Sequence, residues 1–251
     1  MKVCLNGGRG RADHPGVPVT PAELAASAAA AVVAGAEAVH LHPRRADGAE
    51  SLEAADVAAA VTAVRRACPA APLGVSTGLW IAGGDVAARR SAVAAWAGLP
   101  AAARPDFASV NLSEPGWTEL CDVLRSAGVA TEAGIWSVAD ADRMAAAGHS
   151  ISWLRILVEI TNAPAGNAVG VADEVLSRLD ELHVTAPRLL HGEQASCWPL
   201  IAHAGTLGLP TRIGLEDTTT GPAGSAVTSN AELVQLALSL WTETAGPKAA
   251  C

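Results

Sequence analysis

The sequence has almost no lysine, no tyrosine and a single phenylalanine among its 251 residues. Lys2 and Lys248 are the only lysines, so a Schiff-base or carboxylated-lysine mechanism has almost no candidate residue. The seven tryptophans and one phenylalanine offer few rings on which nucleic-acid bases could stack. The formal net charge of −8 also opposes binding to a phosphate backbone. We therefore expect no nucleic-acid partner.

The five cysteines are odd in number, widely spaced and never arranged as C-x-x-C. This distribution predicts a reduced, cytoplasmic chain and argues against both a disulfide framework and a cysteine-based zinc site. The N-terminal segment has no extended apolar stretch of the kind found in secretion signals. The longest apolar run, near residues 25–36, is interrupted by Ser27 and is too short to span a bilayer. We expect no membrane partner.

Hydrophobic residues make up 50% of the chain and charged residues only 17%, with a mean hydropathy of +0.28. Such a composition supports a large buried core and excludes a wholly disordered chain. A length of about 250 residues is typical of a (β/α)₈ barrel. Because no shift in composition marks a boundary, we predict a single domain over residues 1–251.

Short β-branched segments alternate with alanine-rich helical segments along the whole chain. The predicted strands are residues 3–6, 38–42, 73–77, 107–112, 130–133, 154–160, 188–192 and 211–216. The predicted helices are residues 21–34, 52–67, 85–97, 116–126, 138–146, 168–182, 195–206 and 229–243, with cap residues at Thr20, Ser51 and Ser229. Eight alternating units most simply close into a parallel (β/α)₈ TIM barrel of the α/β class.

The alternative architecture is an open, doubly wound sheet. That architecture commonly carries a G-x-G-x-x-G segment directly between the first strand and the first helix. Here Gly7-Gly8-Arg9-Gly10 follows the first strand, but Pro15 and Pro18 intervene before the helix. This departure favours the barrel.

Polar or ionisable residues stand at the carboxyl end of every predicted strand. They are Asn6; His40 and His42; Ser76 and Thr77; Asn111, Ser113 and Glu114; Glu132; Glu159; His191 and Glu193; and Glu216 and Asp217. In a barrel these ends converge on one face, where barrel active sites lie. A polar end on all eight strands is hard to explain by surface solvation alone, so we predict an active site there.

The segment around His40 and His42 suggests a metal site. Residues two apart on a strand point to the same side, so both imidazoles face the barrel interior. Glu216 ends the last predicted strand, and the second and eighth strands both flank the first, so the three side chains can meet. Two histidines and one glutamate suit a catalytic divalent metal. The alternative is that each histidine separately bonds a buried partner. Arg212 also points inward, where Asp217 or the substrate would pair with it.

Two other groups are candidates for supporting roles. His191 ends the seventh predicted strand just before Gly192-Glu193 and can support the site from behind. Trp80, Trp136 and Trp198 each follow a predicted strand, so they are candidates to wall a pocket.

An ordered set of motifs resembles the β-keto acid cleavage enzymes over almost the whole chain. The motifs are Asn6-Gly7; Pro18-Val19-Thr20-Pro21-Ala22-Glu23; Ala34-Gly35-Ala36; His40-Leu41-His42-Pro43-Arg44 with Asp47-Gly48; Ser76-Thr77-Gly78; Ser109-Val110-Asn111-Leu112-Ser113-Glu114; Ile156-Leu157-Val158-Glu159; His191-Gly192-Glu193; and Arg212-Ile213-Gly214-Leu215-Glu216-Asp217. A single motif such as His-x-His is weak, but the ordered set is specific.

The resemblance implies a zinc-dependent barrel enzyme that acts on a β-keto acid and acetyl-CoA and releases acetoacetate and a new acyl-CoA. It implies that His40, His42 and Glu216 hold zinc. It assigns proton removal from the substrate to Asp217 and Arg212, with Ser76 beside them. The residues expected to bind substrate are Asn6, Thr77, Asn111, Ser113 and Glu132. We also expect a homo-oligomer.

The chemistry of the residues agrees with this assignment in part. A β-keto acid can chelate a metal through its carbonyl and carboxylate oxygens, and Lewis-acid chemistry then stabilises the enolate. A guanidinium is a poor base because its pKa exceeds about 12. On physical grounds we therefore expect Asp217 to remove the proton and Arg212 to orient Asp217. One member of this family cleaves 3-keto-5-aminohexanoate and has an acidic residue where this sequence has Arg9. The arginine favours binding of an anionic substrate or of the CoA phosphates.

Two other functions remain as alternatives. A zinc hydrolase of the amidohydrolase kind also uses His-x-His in a barrel, but there the pair belongs to the first strand and a carboxylated lysine bridges the metals. Here the first strand ends in Asn6 and the only lysines are near the ends of the chain. The other alternative is a barrel that binds metal without catalysis, against which the complete set of ligand and acid–base candidates counts.

Overall fold

The chain folds into a ring of parallel strands surrounded by helices. The computed structural model describes residues 1–148, 151–161 and 163–245, and within them it has eight strands and eight α-helices. The strands are β1 (Lys2–Cys4), β2 (Ala38–Leu41), β3 (Leu73–Ser76), β4 (Phe107–Asn111), β5 (Ala130–Ile135), β6 (Trp153–Ile160), β7 (Arg188–Gly192) and β8 (Arg212–Ile213). The helices are α1 (Pro21–Val33), α2 (Ala54–Ala67), α3 (Val86–Ala94), α4 (Trp117–Ser126), α5 (Val138–Ala146), α6 (Ala165–Glu181), α7 (Cys197–Leu207) and α8 (Asn230–Thr244). The predicted (β/α)₈ TIM barrel is confirmed.

The eight strands form a nearly closed barrel. Neighbours are consecutive in the chain, in the order β7-β6-β5-β4-β3-β2-β1-β8. β1 pairs with β8 through Lys2 and Arg212. At the seam between β7 and β8, the Leu190 amide donates a 3.0 Å hydrogen bond to the Pro210 carbonyl. This order excludes the doubly wound alternative, in which the strand order reverses within the sheet.

Side chains alternate between the two faces of the barrel wall. Val3, Val39 and Leu41 are fully buried and belong to the apolar core that the strands share with the helices. Cys4 and His40, the next register pair, have the opposite parity and face the interior. Much of the apolar core therefore lies outside the wall, and polar side chains occupy much of the interior.

Lys2 is one of these interior residues. Its side chain is fully buried, and its Nζ lies 2.9 Å from Glu132 Oε2. Arg155 Nε lies 2.6 Å from the other oxygen of Glu132. Both cations lie over the Phe107 ring, 5.9 and 5.5 Å from its centroid. The Lys2 amine is thus held in an ion pair, which gives no support to a carboxylated-lysine centre.

Two of the three predicted helix caps are present. The Glu23 amide donates to Thr20 Oγ1 at 3.3 Å and the Thr20 amide donates to Glu23 Oε2 at 2.9 Å, which completes a capping box at α1. Ser229 caps α8 as predicted. The Ser51 prediction is wrong, because α2 begins later and the Ser51 hydroxyl accepts a 3.1 Å bond from the Glu53 amide instead.

The last strand is shorter than predicted. β8 ends at Ile213, and at Gly214 the backbone passes so close to β1 that an added Cβ would lie 1.8 Å from the Cys4 carbonyl oxygen. The chain then turns, and the Asp217 amide donates a 2.8 Å hydrogen bond to the Gly214 carbonyl. Glu216 and Asp217 therefore lie on a turn rather than on the strand itself.

The cysteines match their expected role as buried small side chains. Cys4, Cys68, Cys121 and Cys197 are free and buried, and Cys251 lies outside the described residues. In the described part of the chain, no helix has the length and apolarity needed to cross a membrane.

Candidate metal centre and active site

The three predicted metal ligands converge at the carboxyl end of the barrel. His40 lies in β2, His42 follows it directly, and Glu216 lies in the turn after β8. His40 Nε2 is 3.8 Å and His42 Nε2 is 3.6 Å from Glu216 Oε2. One ligand atom from each residue lies within 4.8 Å of the others. Both imidazoles therefore direct Nε2 toward one shared carboxylate rather than toward separate partners.

This donor set fits a divalent metal. Zinc binds histidine nitrogen and carboxylate oxygen at about 2.0–2.2 Å, so tetrahedral ligand atoms lie about 3.4 Å apart. The observed separations of 3.8 and 3.6 Å are close to that value. Glu216 Oε2 is buried and has no hydrogen-bond partner among the described residues. A cation would satisfy this oxygen, and three protein ligands would leave a fourth position for substrate.

The electrostatics of the same side chains also favour a cation. Burial lowers the pKa of His40 well below its usual value, which leaves the imidazole neutral and able to coordinate. Burial also opposes protonation of His42, but Glu216 and Glu50 outweigh it and raise the pKa of His42 to about 9. Burial would raise the pKa of Glu216, yet Arg212 and the two imidazoles hold it well below its usual range. The carboxylates thus attract positive charge to this point.

Arg212 lies beside the ligands and faces four carboxylates. Its Nη2 and Nε lie 2.8 and 3.1 Å from Asp217 Oδ1, and Nη2 also lies 3.1 Å from Glu216 Oε1. Glu159 and Glu193 are farther, at 3.7 and 3.8 Å. Burial would lower the pKa of Arg212, but Asp217 and the other nearby anionic groups raise it well above its usual value. The guanidinium therefore stays protonated and can orient its neighbours.

Asp217 combines a raised pKa with an available oxygen. Burial raises the pKa of Asp217 in spite of Arg212 and His191 nearby. Oδ1 accepts both bonds from Arg212, whereas Oδ2 has no hydrogen-bond partner in the described ranges. The predicted supporting residue His191 is fully buried, with Nδ1 3.9 Å from Asp217 Oδ1 and Nε2 3.5 Å from Glu159 Oε1. A carboxylate of this kind is suited to accept a proton.

A cavity of about 450 Å³ opens onto the candidate ligands and Arg212, whereas Asp217 is fully buried beside Arg212 and does not border it. Its volume lies in the range of small-molecule sites. Its lining includes the three candidate ligands, Arg212 and two further predicted site residues, Ser76 and Asn111. Four residues predicted to bind substrate do not border it within the described part of the chain: Asn6, Thr77, Ser113 and Glu132.

Asn6 and Thr77 are buried and bind backbone groups of neighbouring strands. Asn6 Nδ2 donates to the His42 carbonyl and Asn6 Oδ1 accepts from the His42 amide, each at 2.9 Å. Thr77 Oγ1 donates to the Ser109 carbonyl at 2.5 Å. These bonds tie adjacent strand ends together, so both residues shape the site from behind the cavity wall.

Ser113 and Glu132 have different surroundings from those expected. Glu132 is held in the ion-paired group with Lys2 inside the barrel. Ser113 is exposed after β4, and the next residue, Glu114, accepts a 3.0 Å hydrogen bond from Asn111 Nδ2. Glu114 therefore fixes the orientation of Asn111, and a direct substrate role for Ser113 stays a prediction.

Two of the three candidate tryptophans wall the cavity. Trp80 and Trp136 border it, and Trp136 Nε1 donates to Glu159 Oε2 at 3.1 Å. Trp198 instead donates to the Thr220 carbonyl at 2.9 Å and is not among the described lining residues.

Sequence reasoning gave no role to three acidic residues at the site. Glu159 and Glu193 were recognised as polar strand ends, and both line the cavity beside Arg212. Glu50 was missed, and its Oε1 lies 2.5 Å from His42 Nδ1. Its one sequence signal is the Asp47-Gly48 turn just before it, which returns the chain toward the end of β2.

Comparison with known proteins identifies relatives in sequence and in fold. A sequence profile described as beta-keto acid cleavage enzyme matches residues 1–250. A structure of ObcA in complex with oxaloacetate superposes with a TM-score of 0.69 at 18% identity, covering 90% of this chain and 63% of ObcA. A ternary complex of ObcA with a C4-CoA adduct and oxalate gives a TM-score of 0.71 at 18% identity, with 90% and 63% coverage.

The barrel is also shared with a type I 3-dehydroquinate dehydratase from Clostridium difficile, at a TM-score of 0.65 and 12% identity, covering 96% of this chain and 92% of that one. At such identities the likeness to solved structures shows the fold alone. The present chain spans less than two thirds of the length of the ObcA chains, at 63%.

Proposed function

Because this chain belongs to the beta-keto acid cleavage enzyme family, we propose that it transfers an acyl group between a β-keto acid and acetyl-CoA. The products would be acetoacetate and a new acyl-CoA. The observation that carries this proposal is a His₂Glu donor set that shares one cavity with Arg212, whose guanidinium holds the buried Asp217 carboxylate at 2.8 Å. Oxaloacetate and a CoA adduct, named in the ObcA structures, belong to the same chemical classes and support the proposal.

The proposed metal is zinc, held by His40, His42 and Glu216. A bound zinc would supply Lewis-acid stabilisation of the negative charge that develops on the substrate oxygen, an effect of several kcal/mol. Supporting this choice are the mixed nitrogen and oxygen donors and the separations of 3.6 and 3.8 Å between ligand atoms.

Asp217 is the proposed base. Its Oδ2 has no hydrogen-bond partner in the described chain, and burial raises its pKa, so it can accept the proton from the methylene group of the substrate. Arg212 holds Oδ1 through two hydrogen bonds and keeps the carboxylate in one orientation. Because Asp217 and the other nearby anionic groups keep the guanidinium protonated, its role is to orient Asp217 rather than to remove the proton.

Arg9 and Ser76 are further proposed substrate contacts in the cavity lining. Ser76 borders the cavity, and its Oγ accepts a 3.2 Å hydrogen bond from the Gly78 amide. Arg9 borders it as well, with Nη2 3.4 Å from the Asp217 carbonyl oxygen. A cationic side chain there suits an anionic substrate group or the phosphates of CoA, and a basic amino substrate would be repelled.

The test is an incubation of the zinc-loaded chain with acetyl-CoA and a panel of β-keto acids, some with a second anionic group and some with an amino group. Acetoacetate released only when both substrates are present supports the proposal. A hydrolase would instead turn over without acetyl-CoA and carry oxygen from solvent water into its product. No turnover with any member of the panel, in a chain that binds zinc, would favour the non-catalytic alternative.

A further inference from the structure

The loop that follows β2 folds back over the end of its own strand. Arg44 and Glu50 form an isolated antiparallel bridge. The Arg45 amide donates to the Ala49 carbonyl at 2.8 Å, and the Ser51 amide donates to the Pro43 carbonyl at 2.9 Å. These backbone bonds fix where Glu50 lies, so its side chain returns to His42 at the end of the strand.

The Glu50 carboxylate contacts two aromatic side chains at once. Its Oε1 lies 2.5 Å from His42 Nδ1, and its Oε2 accepts a 3.1 Å hydrogen bond from Trp80 Nε1. The Trp80 ring in turn stacks on the His42 ring, with centroids 6.3 Å apart and an interplanar angle of 26°. Only 15% of the Glu50 side chain is exposed, so the carboxylate is partly removed from competing water.

The two candidate ligand histidines differ in what binds their Nδ1 atoms. With its Nδ1–H held by Glu50, His42 presents Nε2 to Glu216 at 3.6 Å. His40 also presents Nε2 to Glu216, but its Nδ1 has no hydrogen-bond partner among the residues that the structure describes. A carboxylate that accepts the second ring N–H of a histidine fixes the tautomer and the ring orientation that a metal requires.

We propose that Glu50 is a positioning residue that orients His42 for the metal and fastens Trp80 as the adjoining wall of the cavity. One carboxylate then links the metal centre to the surface that a substrate meets. This role rests on the metal centre proposed above, and it predicts that metal affinity depends on a residue that contacts neither the metal nor the substrate.

The experiment measures zinc affinity directly, by competition with a chromogenic chelator on the full chain after metal depletion. The variants are Glu50→Ala, Glu50→Gln and Trp80→Phe. Glu53→Gln is the matched control, because Glu53 is an exposed glutamate in the same segment whose side chain makes no cap hydrogen bond. Thermal melting of each metal-free variant separates a loss of fold from a loss of affinity.

Glu50→Ala should weaken zinc binding by roughly 10–100-fold, the usual cost of removing such a partner. Glu50→Gln should recover part of the loss, because its amide oxygen can still accept from His42 Nδ1. Trp80→Phe keeps a stacking ring but lacks the indole N–H, so it should change zinc affinity less than Glu50→Ala does.

The positioning role would be overturned if Glu50→Ala bound zinc within about twofold of the wild-type affinity, because the usual loss is roughly 10–100-fold. That result would leave the metal centre intact. The absence of zinc binding by the wild-type chain would overturn both. A loss confined to the melting temperature, with unchanged affinity, would also count against the proposal.

Discussion

Replacing Asp217 by asparagine isolates proton removal from the other functions of the site. Asparagine keeps the shape of the side chain and an oxygen that can accept from Arg212, whose two hydrogen bonds at 2.8 and 3.1 Å both go to Oδ1. It removes the basic oxygen, Oδ2, that has no other partner in the described chain. The ligands His40, His42 and Glu216 are untouched. Asp217→Asn should therefore lose catalysis and retain metal.

The expected loss is roughly 10²–10⁴-fold in kcat, the usual contribution of general-base catalysis. At about 1.4 kcal/mol for each factor of ten, this corresponds to about 3–5 kcal/mol of transition-state stabilisation. The assay is acetoacetate formation at saturating substrate, with zinc content measured on the same samples. Asp106→Asn is the control, because Asp106 pairs with Arg65 at 3.0 Å before β4 and outside the cavity lining. Near-normal turnover by Asp217→Asn would refute the assignment of the base.

Three further outcomes are expected. The double variant His40→Ala/His42→Ala should lose its zinc, as measured by elemental analysis, because two of three ligands are removed; retained metal would contradict the site. Burial raises the pKa of Glu193 to about 8, so kcat/KM for an anionic substrate should fall as pH rises through about 8, where the carboxyl becomes charged and repels the substrate. Glu193→Gln should lack that decline. Because 33% of the Glu193 side chain is exposed, solvent screening reduces the rise in its pKa, and the decline should occur at or below pH 8. Gly214→Ala should lower the free energy of unfolding, measured by denaturant titration, by about 3 kcal/mol, the upper end of the usual cost of overpacking, because its Cβ would lie 1.8 Å from a backbone oxygen of β1. Gly98→Ala has nothing within 4 Å and should be nearly neutral by the same denaturant titration.

The alternation of β-branched and alanine-rich segments was enough to predict the barrel. The two-residue spacing of His40 and His42 sets both on one side of the strand, whatever the details of packing. Glu216 reaches the histidines by a different route from the one assumed. The strand ends at Ile213, and the following turn, not strand parity, brings the carboxylate to the histidines.

Other features depend on contacts that the sequence pattern does not encode. Glu132 has the parity of an interior residue, but it is held in an ion-paired group by Lys2 of β1 and by Arg155, its register partner on the neighbouring strand β6. Glu50 belongs to a loop, where no periodicity in the sequence predicts which way a side chain points. Its contact with His42 depends on the backbone bridge between Arg44 and Glu50, which is seen only in the structure.

Because β8 is so short, the residues that close the barrel and those that complete the site lie in the same segment, so the barrel and the site should form together. Arg212 is one of the two residues in this strand, and Glu216 and Asp217 follow within the next turn. The strand is held to β1 by two register pairs, while a Leu190–Pro210 backbone bond lies at the seam with β7. Local opening at this seam would separate the base and one ligand from the histidines while most helices stay folded. On heating, activity should therefore disappear before the helical circular dichroism signal does, and amides near the seam should exchange first.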